Sequence, residues 1–149
     1  MANPYAGSYI TKPNGFRSGL EDKVSKQLES KNVKFEYEMW KIPYVIPASN
    51  HLYCPDFLLP NGIFVETKGL WEAADRKKHL LIREQYPELD IRLVFSSSRT
   101  KIYKGSPTSY AEFCEKHNIQ FADKLIPVSW LKEPKREVPF DKLKEGKKK

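Results

Sequence analysis

The stretch Pro55-Asp56-Phe57-Leu58-Leu59-Pro60-Asn61-Gly62-Ile63-Phe64-Val65-Glu66-Thr67-Lys68 decides how this chain is read. Two short apolar runs flank the turn signal Pro60-Asn61-Gly62, which is the pattern of a β-hairpin. Side chains alternate along a strand, so Glu66 and Lys68 share one face and Thr67 takes the other. A two-residue Asn61-Gly62 loop would set Asp56 across from Thr67 and put Pro60 where a ladder N–H is wanted. A three-residue loop of Pro60, Asn61 and Gly62 suits the residues better. Proline pre-sets φ for the first turn position, and Gly62 takes the left-handed one. Asp56 then lies opposite Glu66, with Lys68 next along.

Adjacent carboxylates repel unless a cation sits between them. Hard oxygen donors at that separation suit Mg²⁺ or Mn²⁺. A solvated strand face would carry Glu-x-Lys just as well; the Pro-Asp on the paired strand, in matching register, is what lifts the pattern above that.

At these residues a family resemblance enters. Pro55-Asp56 followed by Glu66-Thr67-Lys68 resembles the PD-(D/E)xK nuclease superfamily. Phe16-Arg17-Ser18-Gly19-Leu20-Glu21-Asp22-Lys23 before it, and Thr67-Lys68-Gly69-Leu70-Trp71-Glu72 after it, resemble the endonuclease I family of the T-odd coliphages, which resolves DNA junctions. The resemblance runs from about Phe16 to the basic tail.

It implies a restriction-endonuclease-like core and a metal-dependent endodeoxyribonuclease. That enzyme cuts four-way (Holliday) junctions and other branched DNA in pairs, leaving 5′-phosphates. Glu21, Asp56, Glu66 and Lys68 would be catalytic. Glu21, Asp56 and Glu66 would hold one or two Mg²⁺ ions, with Mn²⁺ as substitute. It also implies a domain-exchanged homodimer in which residues 41–50 bridge the subunits. Glu21 of one chain would then complete the site of the other chain's Asp56, Glu66 and Lys68. A sequence-specific nuclease on the same core and a non-catalytic DNA-binding protein are the rival readings.

The remaining composition agrees with a nucleic-acid partner. The chain has 149 residues, 30% of them charged and 13% aromatic, which fits one folded domain. Of its net charge of +7, residues 1–17 supply +2 and residues 131–149 supply +4. A near-neutral body with basic ends suits a phosphate backbone, although basic ends also serve solubility. The expected organisation is a mobile arm over 1–17, a nuclease domain over 18–130 and a basic tail over 131–149. The candidate DNA contacts are Arg17 and Ser18 at the arm, Arg76, Lys77 and Lys78 on a helix, and Arg99, Lys101 and Lys104 on a loop. The Arg76–Lys78 run reads equally as a solvated helix face. No apolar run approaches the roughly 18 residues of a membrane span, and no signal-peptide pattern opens the chain, so an intracellular location is expected; the resemblance implies the cytoplasm of an infected bacterium.

Local patterns fill in an α/β fold with a mixed sheet flanked by helices. Ser18-Gly19-Leu20-Glu21 is a capping box, and Leu20, Val24 and Leu28 form an apolar stripe ending near Asn32. The cap explains Glu21 on structural grounds alone, and it competes with a metal role. Asp22 is the alternative ligand if Glu21 only caps. Val33 to Trp40 alternates as a half-buried strand. Pro43 and Pro47 exclude a central strand over 41–50. Glu72 to Gln85 is a helix burying Leu80, Leu81 and Ile82; Ile91 to Phe95 is a buried strand; Ser109-Tyr110-Ala111-Glu112 caps a helix to His117. Phe121 to Leu131 forms a last packed segment. His51-x-x-Cys54 with Cys114-x-x-His117 has zinc-ligand types, but its halves lie in unlike contexts and no zinc site is inferred.

Overall fold

The computed structural model describes residues 19–46 and 49–145. The arm, with Arg17 and Ser18, lies outside the described residues, so the cap at Ser18 does too.

The hairpin takes the three-residue loop. Strand β4 (Phe57–Leu58) runs antiparallel to β5 (Ile63–Lys68), with Phe57 opposite Val65 and Leu58 opposite Phe64. The Leu59 N–H donates to the Ile63 carbonyl at 2.9 Å, and the Gly62 N–H to the Leu59 carbonyl at 3.0 Å. Gly62 has φ +91°. A Cβ there would stand 2.8 Å from the Arg136 carbonyl oxygen. Gly62→Ala is therefore expected to cost about 2 kcal/mol or more, from left-handed strain plus that clash. The check is a lower urea midpoint at unchanged slope.

Around the hairpin stands a five-stranded mixed sheet, ordered β1-β4-β5-β6-β7. Strand β1 (Glu36–Tyr37) pairs antiparallel with β4. Strands β6 (Asp90–Phe95) and β7 (Phe121–Asp123) extend it in parallel. Alternation along β5 divides the core. Ile63 and Val65 face helix α1 (Gly19–Ser30) through Val24 and Leu28. Phe64 faces Ile82 of helix α2 (Ala73–Gln85). A third cluster joins Trp71, Leu93 and Phe95 to Tyr110 and Cys114 of helix α3 (Tyr110–Lys116). Ser109 and Glu112 form the expected capping box on α3. A short helix α4 (Val128–Leu131) follows β7. The architecture is α/β, a mixed sheet flanked by helices.

Two expectations are corrected. First, the alternating run over 33–40 is not one strand. Glu38 has φ +49° and splits it into β1 and β2 (Trp40–Ile46). The Glu38 N–H bonds the Asp56 carbonyl at 2.9 Å across this break, so pairing with the hairpin overrides the alternation. Second, β2 is the central strand of a small sheet, between β3 (Ser49–Tyr53) and β8 (Lys144–Glu145), despite Pro43. The pairing with β8 covers only Trp40 and Lys41, so at Pro43 the strand is already an edge on that side, where a missing N–H costs no ladder bond. The described part of the basic tail, residues 131–145, packs against the body. Arg92 donates to Asp90 and to Glu133, at 2.7–2.9 Å, and Arg136 joins both carboxylates. The Asn61 side chain donates to the Trp130 carbonyl at 2.8 Å, tying this segment to the hairpin turn.

Candidate active site

The site forms where the hairpin's first strand begins and its second strand ends. Asp56 lies in the bend just before β4 and is 1% exposed. Its carboxylate accepts the Thr67 N–H at 2.8 Å and the Thr67 hydroxyl at 2.9 Å. This departs from simple alternation, which directs Asp56 to the Glu66 face. The register is the expected one, but Asp56 stands outside the paired residues of β4 and turns to the Thr67 N–H that β4 leaves open.

Helix α1 brings Glu21 to the same place. Glu21 is buried, accepts the Tyr37 hydroxyl at 2.9 Å, and lies against Asp56 of its own chain. Glu38 completes the cluster, because the break between β1 and β2 swings it inward. One carboxylate oxygen from each of Glu21, Glu38 and Asp56 lies within 4.8 Å of the others. Glu66 lies outside this group of three but beside it, within electrostatic reach of Asp56 and Glu38.

Glu66 is buried and held from two sides. It accepts the Tyr53 hydroxyl at 3.0 Å, and its other oxygen is 3.7 Å from the Lys68 ammonium. Lys68 also meets Asp75, in the first turn of α2, at 3.3 Å.

Electrostatically the site is short of positive charge. Burial pushes Asp56 well above the usual carboxylate range, and the charges of Glu66 and Glu21 add to it. Burial raises Glu66 too, against the pull of Lys68 and Tyr53. Glu38 is pushed up to about 8 by burial and by Glu66. For Lys68, burial opposes the ammonium, but Glu66 and Asp75 outweigh it and hold its pKa above the ordinary value. Lys68 is therefore a fixed cation near neutral pH. Hard carboxylate oxygens, converging, buried and mutually repelling, fit a divalent cation such as Mg²⁺.

The family model for phage endonuclease I matches residues 1–149. The chain belongs to the phage endonuclease I family. Among similar members, Endonuclease I of Escherichia phage T7 is 81% identical over 140 residues, 94% of each chain. Endodeoxyribonuclease 1 of Enterobacteria phage T3 is 76% identical over 147 residues, covering 99% of this chain and 96% of that one.

In this phage endonuclease I chain the basic candidates divide. Arg76 is 8% exposed, and its guanidinium donates to the carbonyls of Trp71 at 2.7 Å and Ile102 at 3.1 Å. It ties α2 to neighbouring loops, which removes it as a phosphate contact. Lys78 is half-buried and paired with Asp75 at 3.4 Å. Lys77, Arg99, Lys101 and Lys104 are exposed and remain available. The zinc-type pattern does not close. Cys114 is buried in the core and His117 packs on the Phe113 ring, while His51 is exposed and bonded to Ser49.

Sequence reasoning missed Glu38, Asp75 and Tyr53. Glu38 sat on what alternation made an outward face, and nothing in Tyr37-Glu38-Met39 marks a left-handed residue. Asp75 is visible only as an acidic residue in a helix's first turn, where the helix dipole already explains it.

Proposed function

We propose that this chain is a metal-dependent endodeoxyribonuclease that resolves four-way junctions and other branched DNA, acting as a homodimer. The observation that carries the reading is the convergence of Glu21 and Asp56 beside Glu66 and Lys68, in a chain of the phage endonuclease I family. The names of its relatives, an endonuclease and an endodeoxyribonuclease, support DNA as substrate. Among the described residues no helix is long and apolar enough to cross a membrane.

Asp56, Glu66 and Glu21 would hold Mg²⁺ or Mn²⁺, one or two ions, with Glu38 as an added oxygen donor. Such a cation, when bound, offsets phosphate charge and makes a water a better nucleophile. The protein's own residues do the rest. Thr67 fixes Asp56, and Asp75 fixes Lys68. The Lys68 ammonium lies ready to offset charge developing on the scissile phosphate. Lys77, Arg99, Lys101 and Lys104, with the basic arm, hold backbone phosphates and read shape more than sequence. Two subunits supply two sites, one for each strand cut across a junction. Exchange of segments between subunits, making each site composite, belongs to the same proposal.

The test compares a four-way junction with linear duplexes of the same arm sequences, with and without Mg²⁺. The expected result is paired, Mg²⁺-dependent cuts near the branch and little cutting of the duplexes. Equal cutting of a duplex, with base-sequence preference, would move the function to a sequence-specific nuclease. Binding of both without any cutting would leave only a DNA-binding protein.

A further inference from the structure

Behind Glu66 lies a buried side chain with no part in the chemistry so far. Tyr53, the last residue of β3, is 3% exposed, and its hydroxyl donates to Glu66 Oε1 at 3.0 Å. Glu66 Oε2 is the oxygen nearest Lys68. The phenol therefore takes one oxygen of the carboxylate and leaves the other toward the site.

The Tyr53 ring is itself fixed. His79 of α2 meets it edge-on, with ring centroids 5.2 Å apart. The Lys78 ammonium lies 5.1 Å from its centroid. His79 is fully buried, forms no hydrogen bond through either ring nitrogen, and also packs on Trp71 at 5.9 Å. It acts as an apolar wall. Trp71 in turn is 0% exposed, and its backbone N–H donates to the Tyr110 hydroxyl at 3.0 Å. A continuous packed layer thus runs from the third core cluster to the Glu66 carboxylate. A long carboxylate side chain at a strand end has several rotamers to choose from, and one buried donor on a rigid ring selects among them.

We propose that Tyr53 is a positioning residue: its hydroxyl orients Glu66 so that Oε2 faces the cation and Lys68. This rests on the reading of Glu66 as a carboxylate that holds the metal. Partners behind a metal-holding group commonly set its affinity, and losing one costs about 10- to 100-fold.

The experiment uses the full chain carrying Tyr53→Phe, which keeps the ring against His79 and removes only the hydroxyl. Calorimetric titration with Mn²⁺ in the absence of DNA reads cation affinity directly, below the melting temperature of every variant. The expected result is affinity weakened about tenfold, with the Mg²⁺ concentration for half-maximal junction cutting raised by a similar factor. In a Glu66→Gln background, the same Tyr53→Phe change should have no further effect on Mn²⁺ affinity. That loss of effect separates positioning from a general packing defect, which would persist in both backgrounds. Wild-type Mn²⁺ affinity and Mg²⁺ dependence in Tyr53→Phe would overturn the inference while leaving the function intact. Wild-type Mn²⁺ affinity in Glu66→Gln alone would overturn the underlying reading of Glu66, and this inference with it.

Discussion

Lys68→Ala is expected to slow junction cutting by about 10²- to 10³-fold or more, while leaving junction binding within a few fold of wild type. The Lys68 ammonium is held at 3.7 Å from Glu66 and 3.3 Å from Asp75, so its position is set before any DNA arrives. Cations fixed in advance where charge develops cost no reorganisation during the reaction, and their removal is felt mainly in the rate. Raising the pH should not restore the variant. The pKa of Lys68 lies above its ordinary value, held there by Glu66 and Asp75, so on the proposed reading the side chain stays an ammonium across neutral pH. Single-turnover cutting in Mg²⁺, with gel-shift affinity in Ca²⁺, checks both halves. Wild-type cutting by Lys68→Ala would remove Lys68 from the site, and equal loss of binding and cutting would make it a DNA-holding group instead.

The second large effect is on stability without metal. Glu38 has a folded pKa of about 8 against an ordinary 4.5. A group whose pKa is raised by folding stabilises the fold fully below its unfolded value and ceases to as the pH rises through its folded value. The metal-free protein should therefore lose stability between about pH 4.5 and pH 8. Burial shifts Asp56 and Glu66 in the same direction, so they add to the loss. For Glu38 the loss is on the order of 1–2 kcal/mol, discounted for the solvent that reaches a half-buried carboxylate. In a domain of this size that is roughly 2–8 °C in melting temperature. Saturating Mg²⁺ should return most of it at pH 8, because the cation binds only the folded cluster. Glu38→Gln should flatten the slope in EDTA. Melting curves from pH 4.5 to 8.5, with EDTA and with Mg²⁺, give the answer. A melting temperature in EDTA that stays level or rises with pH would show that the carboxylates do not repel as described.

These predictions draw on residues the sequence revealed to different degrees. The hairpin's loop and register were legible, because their determinants are local: Pro60 and Gly62 fix the loop, the loop fixes the register, and the register sets Phe57 against Val65. The same holds for the capping box at Ser109 and the apolar stripe of Val24 and Leu28. Arg76 shows the opposite case. In sequence it is one of a run of basic residues; in the fold it faces inward to two carbonyls, because the helix's orientation on the sheet decides which side is wet.

By itself, the sequence determined the strand–turn–strand unit and the placement of Glu66 and Lys68 on one strand. It did so because turn chemistry and side-chain alternation act over a few residues. Only the tertiary structure decided which carboxylates meet. Glu21 comes from α1, Glu38 from a left-handed break between strands, and Asp56 from a bend turned toward Thr67. Those meetings depend on how helix and sheet pack across distances of many residues. Long-range packing of that kind leaves no periodic mark in the chain.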